Sequence, residues 1–146
     1  MRRRLAIGIA TILAALGLIV PLAQAVGPIT GTRSCSTFHF SLYQDPNEGG
    51  PSYENNTTTS GQCWVADANL TTTVFDGNWN DRADSVWVLE MPSNYILKLY
   101  KDINFGNFCT AVVGGANFPG TTRYIHQLGN DGCHDNISSY NFYKTD

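Results

Sequence analysis

Two turns rich in Asp and Asn carry the side chains of this chain that could bind a metal ion, and each turn leads directly into an apolar stretch. The turns are residues 80–85, Asn-Asp-Arg-Ala-Asp-Ser, and residues 134–139, His-Asp-Asn-Ile-Ser-Ser. Calcium takes six to eight hard oxygen ligands at flexible angles, and carboxylates, hydroxyls and turn carbonyls supply them. The alternative is a purely structural role, because Asp, Asn and Ser side chains also bind the backbone amides of their own turns.

These turns belong to a duplicated unit. Well upstream of each lies an alternating apolar stretch that ends in a tyrosine and a bend: residues 38–43 with a bend at 49–50, and residues 96–100 with a bend at 105–107. A repeat of this size that cannot bury its apolar face alone is a supersecondary unit that packs on a neighbour. The sequence therefore predicts two related halves within one domain.

Eight short segments have the apolar alternation of β-strands, with turn residues between them, and none has a sustained helical period. They are residues 38–43, 63–67, 72–75, 86–90, 96–100, 109–113, 122–126 and 139–143. Short strands at this spacing predict an all-β sandwich or barrel. The stretch 43–61 is long and polar, and its Asn-Thr-rich centre, residues 55–60, has no apolar anchor and is predicted to be a mobile loop.

The first 25 residues have the pattern of a secretory signal peptide. Residues 2–4 are arginines, residues 5–20 are apolar, and residues 23–25, Ala-Gln-Ala, form a cleavage signal. A signal anchor is the competing interpretation, but the apolar run is shorter than the 18 or more residues of a membrane span. We expect cleavage after Ala25, secretion of a single domain of residues 26–146, and no membrane insertion after cleavage.

The charge balance argues against nucleic acid and anionic membrane as partners. Once the three arginines leave with the signal peptide, 9 − 3 = 6 basic residues stand against 12 acidic ones, a net charge of −6. Such a surface is compatible with binding a cation and unsuited to a polyanion. Charged residues make up only 14% of the chain, and Gly, Asn, Thr and aromatic residues take their place, as in a turn-rich β-protein.

Four cysteines remain after signal removal: Cys35, Cys63, Cys109 and Cys133. An even number in an exported chain indicates two disulfides, for which three pairings exist. Their spacing contains no C-x-x-C pattern of a zinc or redox site. If the two repeats fold separately, the pairing within each repeat is favoured, Cys35 with Cys63 and Cys109 with Cys133.

With these residues in place, the chain resembles the βγ-crystallin fold in its secreted microbial form. More narrowly, it resembles the actinobacterial peptidase inhibitors of family I36, the group of the Streptomyces metalloproteinase inhibitor. The family pattern is an aromatic residue, six residues and then Gly, followed later by an Asx-Asx-x-x-hydroxyl-Ser turn. Tyr43 with Gly50 fits the first part, whereas Asn107 stands where Gly is usual after Tyr100. Asn is the next-best residue at positive φ, so we expect the fold to survive this departure.

The resemblance implies a sandwich of two Greek keys with about eight strands, at about residues 34–90 and 94–144. It also implies that the two turns lie side by side and build two calcium sites, in which calcium stabilises the fold and does no chemistry. The residues that match the family's ligands are Asn80, Asp81, Asp84, Ser85, Asp135, Ser138 and Ser139. Two departures matter: Asp84 replaces a hydroxyl residue, and His134 replaces the first Asx with an imidazole, which is a poor calcium ligand.

The function that the resemblance implies is inhibition of an extracellular metalloprotease by a monomeric secreted protein. A rigid disulfide-tied scaffold presents a loop in extended form, so binding costs little ordering entropy. Cys63-Trp64-Val65 is the candidate inhibitory loop, because a bulky apolar residue beside a cysteine suits an apolar protease pocket. The competing interpretation is a strand whose tryptophan is buried.

Two other functions remain open at this point. The chain could be a calcium-binding structural or stress-stability protein of the cell surface, or a secreted effector similar to the killer toxins of this fold. An enzyme is not expected, because His39, His126 and His134 lie in separate segments without a nucleophile elbow, an HExxH motif or a phosphate loop.

Overall fold

The computed structural model describes residues 27–57, 59–72, 77–117 and 123–145, and the predicted signal peptide lies outside them. Within this part of the chain the strands are β1 Gly27–Pro28, β2 Thr32–Ser34, β3 Phe40–Asp45, β4 Gly49–Glu54, β5 Gln62–Trp64, β6 Ala66–Asp67, β7 Ser85–Leu89, β8 Tyr95–Tyr100, β9 Phe108–Val113, β10 Arg123–Gln127 and β11 Ser139–Lys144. The helical pieces are one turn of α-helix, α1 Cys35–Phe38, and three 3₁₀ turns at Leu70–Thr72, Ile103–Phe105 and Leu128–Asp131. None of these helices is long and apolar enough to cross a membrane.

The strands form two main antiparallel sheets and a small third one. One sheet has the order β10-β7-β3-β4, and the other has the order β9-β8-β11 with β1 and β6 both pairing with β11. The small sheet is β2 with β5. The predicted all-β sandwich of two Greek keys is thus confirmed.

The two halves of the chain exchange strands: the second half gives β10 to the first sheet, and the first half gives β1 and β6 to the second. β10 comes from the second repeat but pairs with β7 of the first, and β6 comes from the first repeat but pairs with β11 of the second. The exchange interlocks the two keys, so neither sheet is complete without residues of both halves.

The core lies between the two sheets, where the inward side chains of the central strands meet. Phe40 of β3 packs edge to face on Tyr140 of β11, with ring centroids 4.5 Å apart. Trp79, which precedes the first Asx turn, is also buried. Aromatic pairs of this geometry add about 0.5–1.5 kcal/mol each beyond the burial of their area.

The long polar stretch 43–61 contains a strand that the sequence reasoning did not predict. Residues 49–54 form β4, which pairs with β3 at the edge of the first sheet, and Tyr53 is buried in the core. Asn55, the first residue of the predicted mobile loop, is fully buried and hydrogen-bonded, so the prediction is wrong at that residue. Pro51 lies in this strand because an edge strand tolerates a residue that cannot donate to the ladder.

Two other strand predictions need correction. Leu70–Thr72 is a 3₁₀ turn instead of the start of a strand, and residues 73–75 lie outside the described part of the chain. The strand predicted from residue 38 begins at Phe40, because α1 ends at Phe38. Ser34 caps α1 by accepting a hydrogen bond from the amide of Ser36.

Both disulfides have the pairing favoured for separate repeats. Cys35 of α1 is bonded to Cys63 of β5, and the two Cα atoms are 5.0 Å apart. Cys109 of β9 is bonded to Cys133, which follows the last 3₁₀ turn, with a Cα separation of 6.1 Å. The first bond ties the small sheet to the first repeat, and the second closes the second repeat.

Candidate functional site

The two Asx turns lie side by side and are held by matching contacts. The amide of Asp81 donates to the carbonyl of Ile137 at 3.0 Å, and the amide of Asp135 donates to the carbonyl of Ala83 at 3.1 Å. Asp81 and Asp135 both adopt positive φ, 55° and 49°, a conformation that Asp and Asn tolerate better than most residues. The two turns therefore make equivalent hydrogen bonds to each other, in the side-by-side arrangement that the resemblance implies.

The two serines that end the turns hold the neighbouring hairpins folded. The hydroxyl of Ser85 donates to the carbonyl of Asp45 at 2.8 Å, and the hydroxyl of Ser139 donates to that of Asp102 at 2.7 Å. Each hydroxyl also accepts an amide hydrogen from the tip of its hairpin. Both serine side chains thus position the hairpins through their hydrogen bonds. Asn107, in the second hairpin, has the positive φ that was expected of it, 49°.

Three oxygens meet on one side of the paired turns, in what we call the Ser138 cluster. The hydroxyl of Ser138 lies 3.0 Å from Oδ1 of Asp81 and 2.6 Å from the carbonyl oxygen of Lys101. One hydroxyl hydrogen cannot serve both acceptors fully, so the cluster has more lone pairs than donors. All three groups would bind a metal ion through hard oxygen atoms, which are the ligands that calcium takes. Asn80 amide donates to the other carboxylate oxygen of Asp81 and orients it.

The equivalent position on the other side of the paired turns has different side chains, including an imidazole, and we call it the His134 cluster. Here Nε2 of His134 lies 3.2 Å from Oδ1 of Asp84, and Nδ1 lies 3.0 Å from Oδ2 of Asp135. Asp84 occupies the position that Ser138 has in the first cluster, so two carboxylates face each other without a hydroxyl between them. Oδ1 of Asp84 is buried and accepts no well-aligned hydrogen bond among the described residues, so the His134 nitrogen is an ion-pair contact at most. Calcium fits this nitrogen-containing set less well than the first.

The candidate inhibitory segment is a rigid strand that exposes one large side chain. Cys63 and Val65 are fully buried, whereas Trp64 between them is 42% exposed. The amide of Trp64 donates to the carbonyl of Asn55 at 2.8 Å, and its own carbonyl accepts from the side-chain amide of Asn55, also at 2.8 Å. The competing interpretation is therefore right that this segment is a strand and wrong that its tryptophan is buried.

A buried tyrosine supports the same segment from below. The hydroxyl of Tyr140 donates to the carbonyl of Trp64 at 3.3 Å and lies 3.1 Å from the hydroxyl of Tyr53. Burial raises the pKa of Tyr140 well above its usual value, so the phenol stays neutral and keeps its hydrogen. The backbone of Trp64 is therefore held from below, while its indole is partly exposed to solvent.

A second apolar surface was missed by the sequence reasoning. Ile103, Phe105 and Phe108 are all exposed around the β8–β9 hairpin, and Phe108 reaches 55%. The rings of Phe105 and Phe108 lie 5.8 Å and 6.0 Å from that of Tyr100. The sequence does carry a signal for this surface, which is seen when the two bends are compared: the first bend has Glu48 where the second has the apolar Phe105.

The three histidines pair with separate carboxylates. Nε2 of His39 lies 3.6 Å from a carboxylate oxygen of Glu54. The ring of His126 is hydrogen-bonded through Nδ1 to the hydroxyl of Tyr124, at 3.0 Å, and through Nε2 to the carboxylate of Asp131. Hydrogen bonds from Thr110 and then from His126 lower the pKa of the Asp131 carboxyl. This network joins β9, β10 and the last 3₁₀ turn.

Comparison with known proteins decides the family. The family model of peptidase inhibitor family I36 matches residues 29–112, which is more than half of the chain. The chain belongs to peptidase inhibitor family I36. A family of inhibitors points to a protease as partner and to a protein that is not itself an enzyme. No curated protein matches this I36 chain in sequence.

Solved structures agree with the fold of this I36 chain. A structure from work on the evolution of the eye-lens βγ-crystallin domain fold matches with a TM-score of 0.51 at 20% identity, over 84% of this chain and 98% of that one. A double mutant of a βγ-crystallin domain from Clostridium beijerinckii matches with a TM-score of 0.45 at 23% identity, over 73% and 98%. A βγ-crystallin domain from Flavobacterium johnsoniae matches with a TM-score of 0.43 at 23% identity, over 72% and 93%. At 20% identity, the first of these structures supports the assignment of the fold and nothing beyond the fold.

Proposed function

We propose that this protein is a secreted inhibitor of extracellular metalloproteases and that Trp64 is its main contact. Membership of family I36 supplies the class of activity. The observation that carries the assignment of the surface is the exposed indole of Trp64 between two buried neighbours, one of them a disulfide-bonded cysteine. The signal-peptide pattern of residues 1–25 and the two disulfides support an extracellular site of action.

The rigidity of the Trp64 segment is what makes it suitable for binding. Trp is enriched among the residues that dominate the energy of protein interfaces. Because the backbone of Trp64 is bonded to Asn55 on one side and Cys63 is crosslinked to Cys35 on the other, little conformational freedom remains to be lost. Preorganisation of this kind strengthens binding by lowering the ordering cost. An indole of this size fits an apolar specificity pocket in a protease cleft.

Replacing Trp64 with alanine is expected to weaken inhibition by about 30-fold or more, the effect of losing a contact of about 2 kcal/mol. The exposed side chain contributes little to the core, so the melting temperature should stay close to that of the wild type. The measurement is the inhibition constant of the mature protein against a thermolysin-type metalloprotease, with a subtilisin-type serine protease run in parallel.

Phe108→Ala is the matched control, because Phe108 is also an exposed aromatic residue but lies in the other apolar surface. It should inhibit as the wild type does. If Phe108→Ala loses inhibition while Trp64→Ala keeps it, the contact surface is the β8–β9 hairpin and our assignment of Trp64 is wrong. If the wild type inhibits only the serine protease, the metalloprotease target is wrong.

A calcium-binding structural role is the second candidate, and the Ser138 cluster favours it. Three oxygens converge there around a single hydroxyl hydrogen, and Asp81 supplies the charge. Calcium bound by Asp81, Ser138 and the carbonyl of Lys101 would offset this excess of lone pairs and would join the two turns. The protein's own contribution is to hold these groups together through the amide bonds of Asp81 and Asp135.

Calcium is expected to raise the melting temperature of the wild type, because an ion that binds only the folded state at a hundred times its dissociation constant adds about 2.7 kcal/mol. The rise should be much smaller in Asp81→Ala and in Ser138→Ala, and calorimetry should show one dominant binding step. Glu90→Ala removes an exposed carboxylate at the far end of β7 and should leave the rise intact. A melting curve that millimolar calcium does not move would leave the turns with a structural role only.

A further inference from the structure

We infer that the His134 cluster is a binding site for a divalent transition metal, with zinc as the probe, and that it differs in metal preference from the Ser138 cluster. The cluster offers one imidazole and two carboxylates, and one ligand atom from each of Asp84, His134 and Asp135 lies within 4.8 Å of the others. Imidazole suits zinc and other transition metals, whereas calcium favours oxygen ligands alone. This inference is independent of the proposed inhibition of proteases.

The ligand atoms lie close enough for one zinc ion to draw them together by side-chain movements. Zinc bonds of about 2.0–2.1 Å in tetrahedral geometry place two ligand atoms a little over 3 Å apart. The imidazole of His134 lies 3.2 Å from Oδ1 of Asp84 through one nitrogen and 3.0 Å from Oδ2 of Asp135 through the other. The His134 side chain is 61% exposed, so it can turn to offer a single nitrogen to an ion held by the carboxylates. Three protein ligands would leave a fourth position for water.

The buried oxygen of Asp84 is the independent observation that points to a cation. Asp84 is only 9% exposed, and its Oδ1 accepts no well-aligned hydrogen bond in the described part of the chain, although Nε2 of His134 lies 3.2 Å away. A buried carboxylate is unfavourable unless a cation compensates for its charge, and a metal ion held between Asp84 and His134 would do so. The backbone of Asp84 is fixed, because its amide donates to the carbonyl of Tyr43 at 2.8 Å and its carbonyl accepts from Leu128 at 2.9 Å. The carboxylate therefore cannot leave the cluster by a small movement of the turn.

The internal symmetry supplies the matched variant. Asn80 occupies in the first turn the place that His134 has in the second, and Ser138 occupies the place of Asp84. His134→Asn therefore replaces the imidazole with the residue that the chain itself uses at the equivalent position. Both His134 and Asp135 are exposed, so neither His134→Asn nor Asp135→Asn is expected to unfold the protein.

Isothermal titration of zinc into the untagged mature protein, after dialysis against a chelator and then metal-free buffer, tests the site. We expect the wild type to bind one zinc ion, and we expect His134→Asn and Asp135→Asn to bind it at least about tenfold more weakly, since even the loss of a group that only supports a metal ligand weakens binding by 10–100-fold. His126→Gln, which removes another histidine that contacts a carboxylate, should bind as the wild type does. Zinc should shift the NMR signals of the His134 imidazole.

The calcium titration separates this site from the Ser138 cluster. Ser138→Ala should keep zinc binding, and His134→Asn should keep calcium binding. The inference is overturned if the wild type binds no zinc at hundred-micromolar concentration, if His134→Asn binds zinc as tightly as the wild type, or if His126→Gln abolishes binding. Failure of zinc binding together with full inhibition of the protease would leave the proposed function standing.

Discussion

Replacing Asn55 with aspartate is expected to lower the free energy of unfolding by about 3–5 kcal/mol, although the two side chains have nearly the same shape. Asn55 is fully buried, and its side-chain amide donates to the carbonyls of Phe38 at 2.7 Å and Trp64 at 2.8 Å. Its Oδ1 accepts from the amide of Phe40 at 3.0 Å. Aspartate would keep the acceptor but would turn both donors into an oxygen that faces two carbonyl oxygens.

The measurement is urea denaturation of Asn55→Asp beside the wild type. Asn130→Asp makes the same chemical change at an exposed position of the last 3₁₀ turn and should alter stability by less than about 0.5 kcal/mol, as surface substitutions usually do. If Asn55→Asp unfolds at the same urea concentration as the wild type, Asn55 does not hold the three backbone groups as described. Since a whole domain is stable by only about 5–15 kcal/mol, the variant is expected to be partly unfolded at physiological temperature.

Removing the disulfide between Cys35 and Cys63 by a double substitution to alanine is expected to cost about 3–4 kcal/mol of stability. The bond spans a sequence separation of 28 residues, and the chain-entropy model gives roughly this value for a loop of that length. Inhibition should also weaken, because Cys63 anchors the strand that presents Trp64. The measurements are denaturation and the inhibition constant of the metalloprotease, the latter well below the melting temperature.

The second disulfide provides the control. The bond between Cys109 and Cys133 spans a similar separation of 24 residues, so its removal should cost a similar amount of stability. It lies in the second repeat and does not touch Trp64, so inhibition should be retained while the protein is folded. Equal loss of inhibition in the two double variants would contradict a specific role for the Cys35–Cys63 bond in presenting Trp64.

The repeated patterns made most of the fold predictable. The second repeat was predicted closely, since β8, β9 and β11 differ by a residue or so from segments 96–100, 109–113 and 139–143. Those strands alternate cleanly because one face of each meets the core. The pairing of the four cysteines also followed from the repeat, and so did the positive φ at Asn107.

The features that the sequence hid depend on contacts between distant residues. β4 has one buried apolar side chain, Tyr53, in a run of Gly, Pro and Ser, so it does not resemble a strand until its pairing with β3 is known. Trp64 follows a buried cysteine and precedes a buried valine, and alternation alone does not reveal that it faces solvent. The metal chemistry of His134 arises only when Asp84, fifty residues earlier, lies beside it.

The exchange of strands between the two keys makes the folding of each key depend on the other. β11 is the central strand on which β8, β1 and β6 all assemble, and Gly27 of β1 pairs with Lys144 of β11. Because folding must bring together residues that are so far apart in the sequence, it is expected to be slow. Neither sheet is complete without strands from both keys, so we expect the two keys to unfold together in a single cooperative transition.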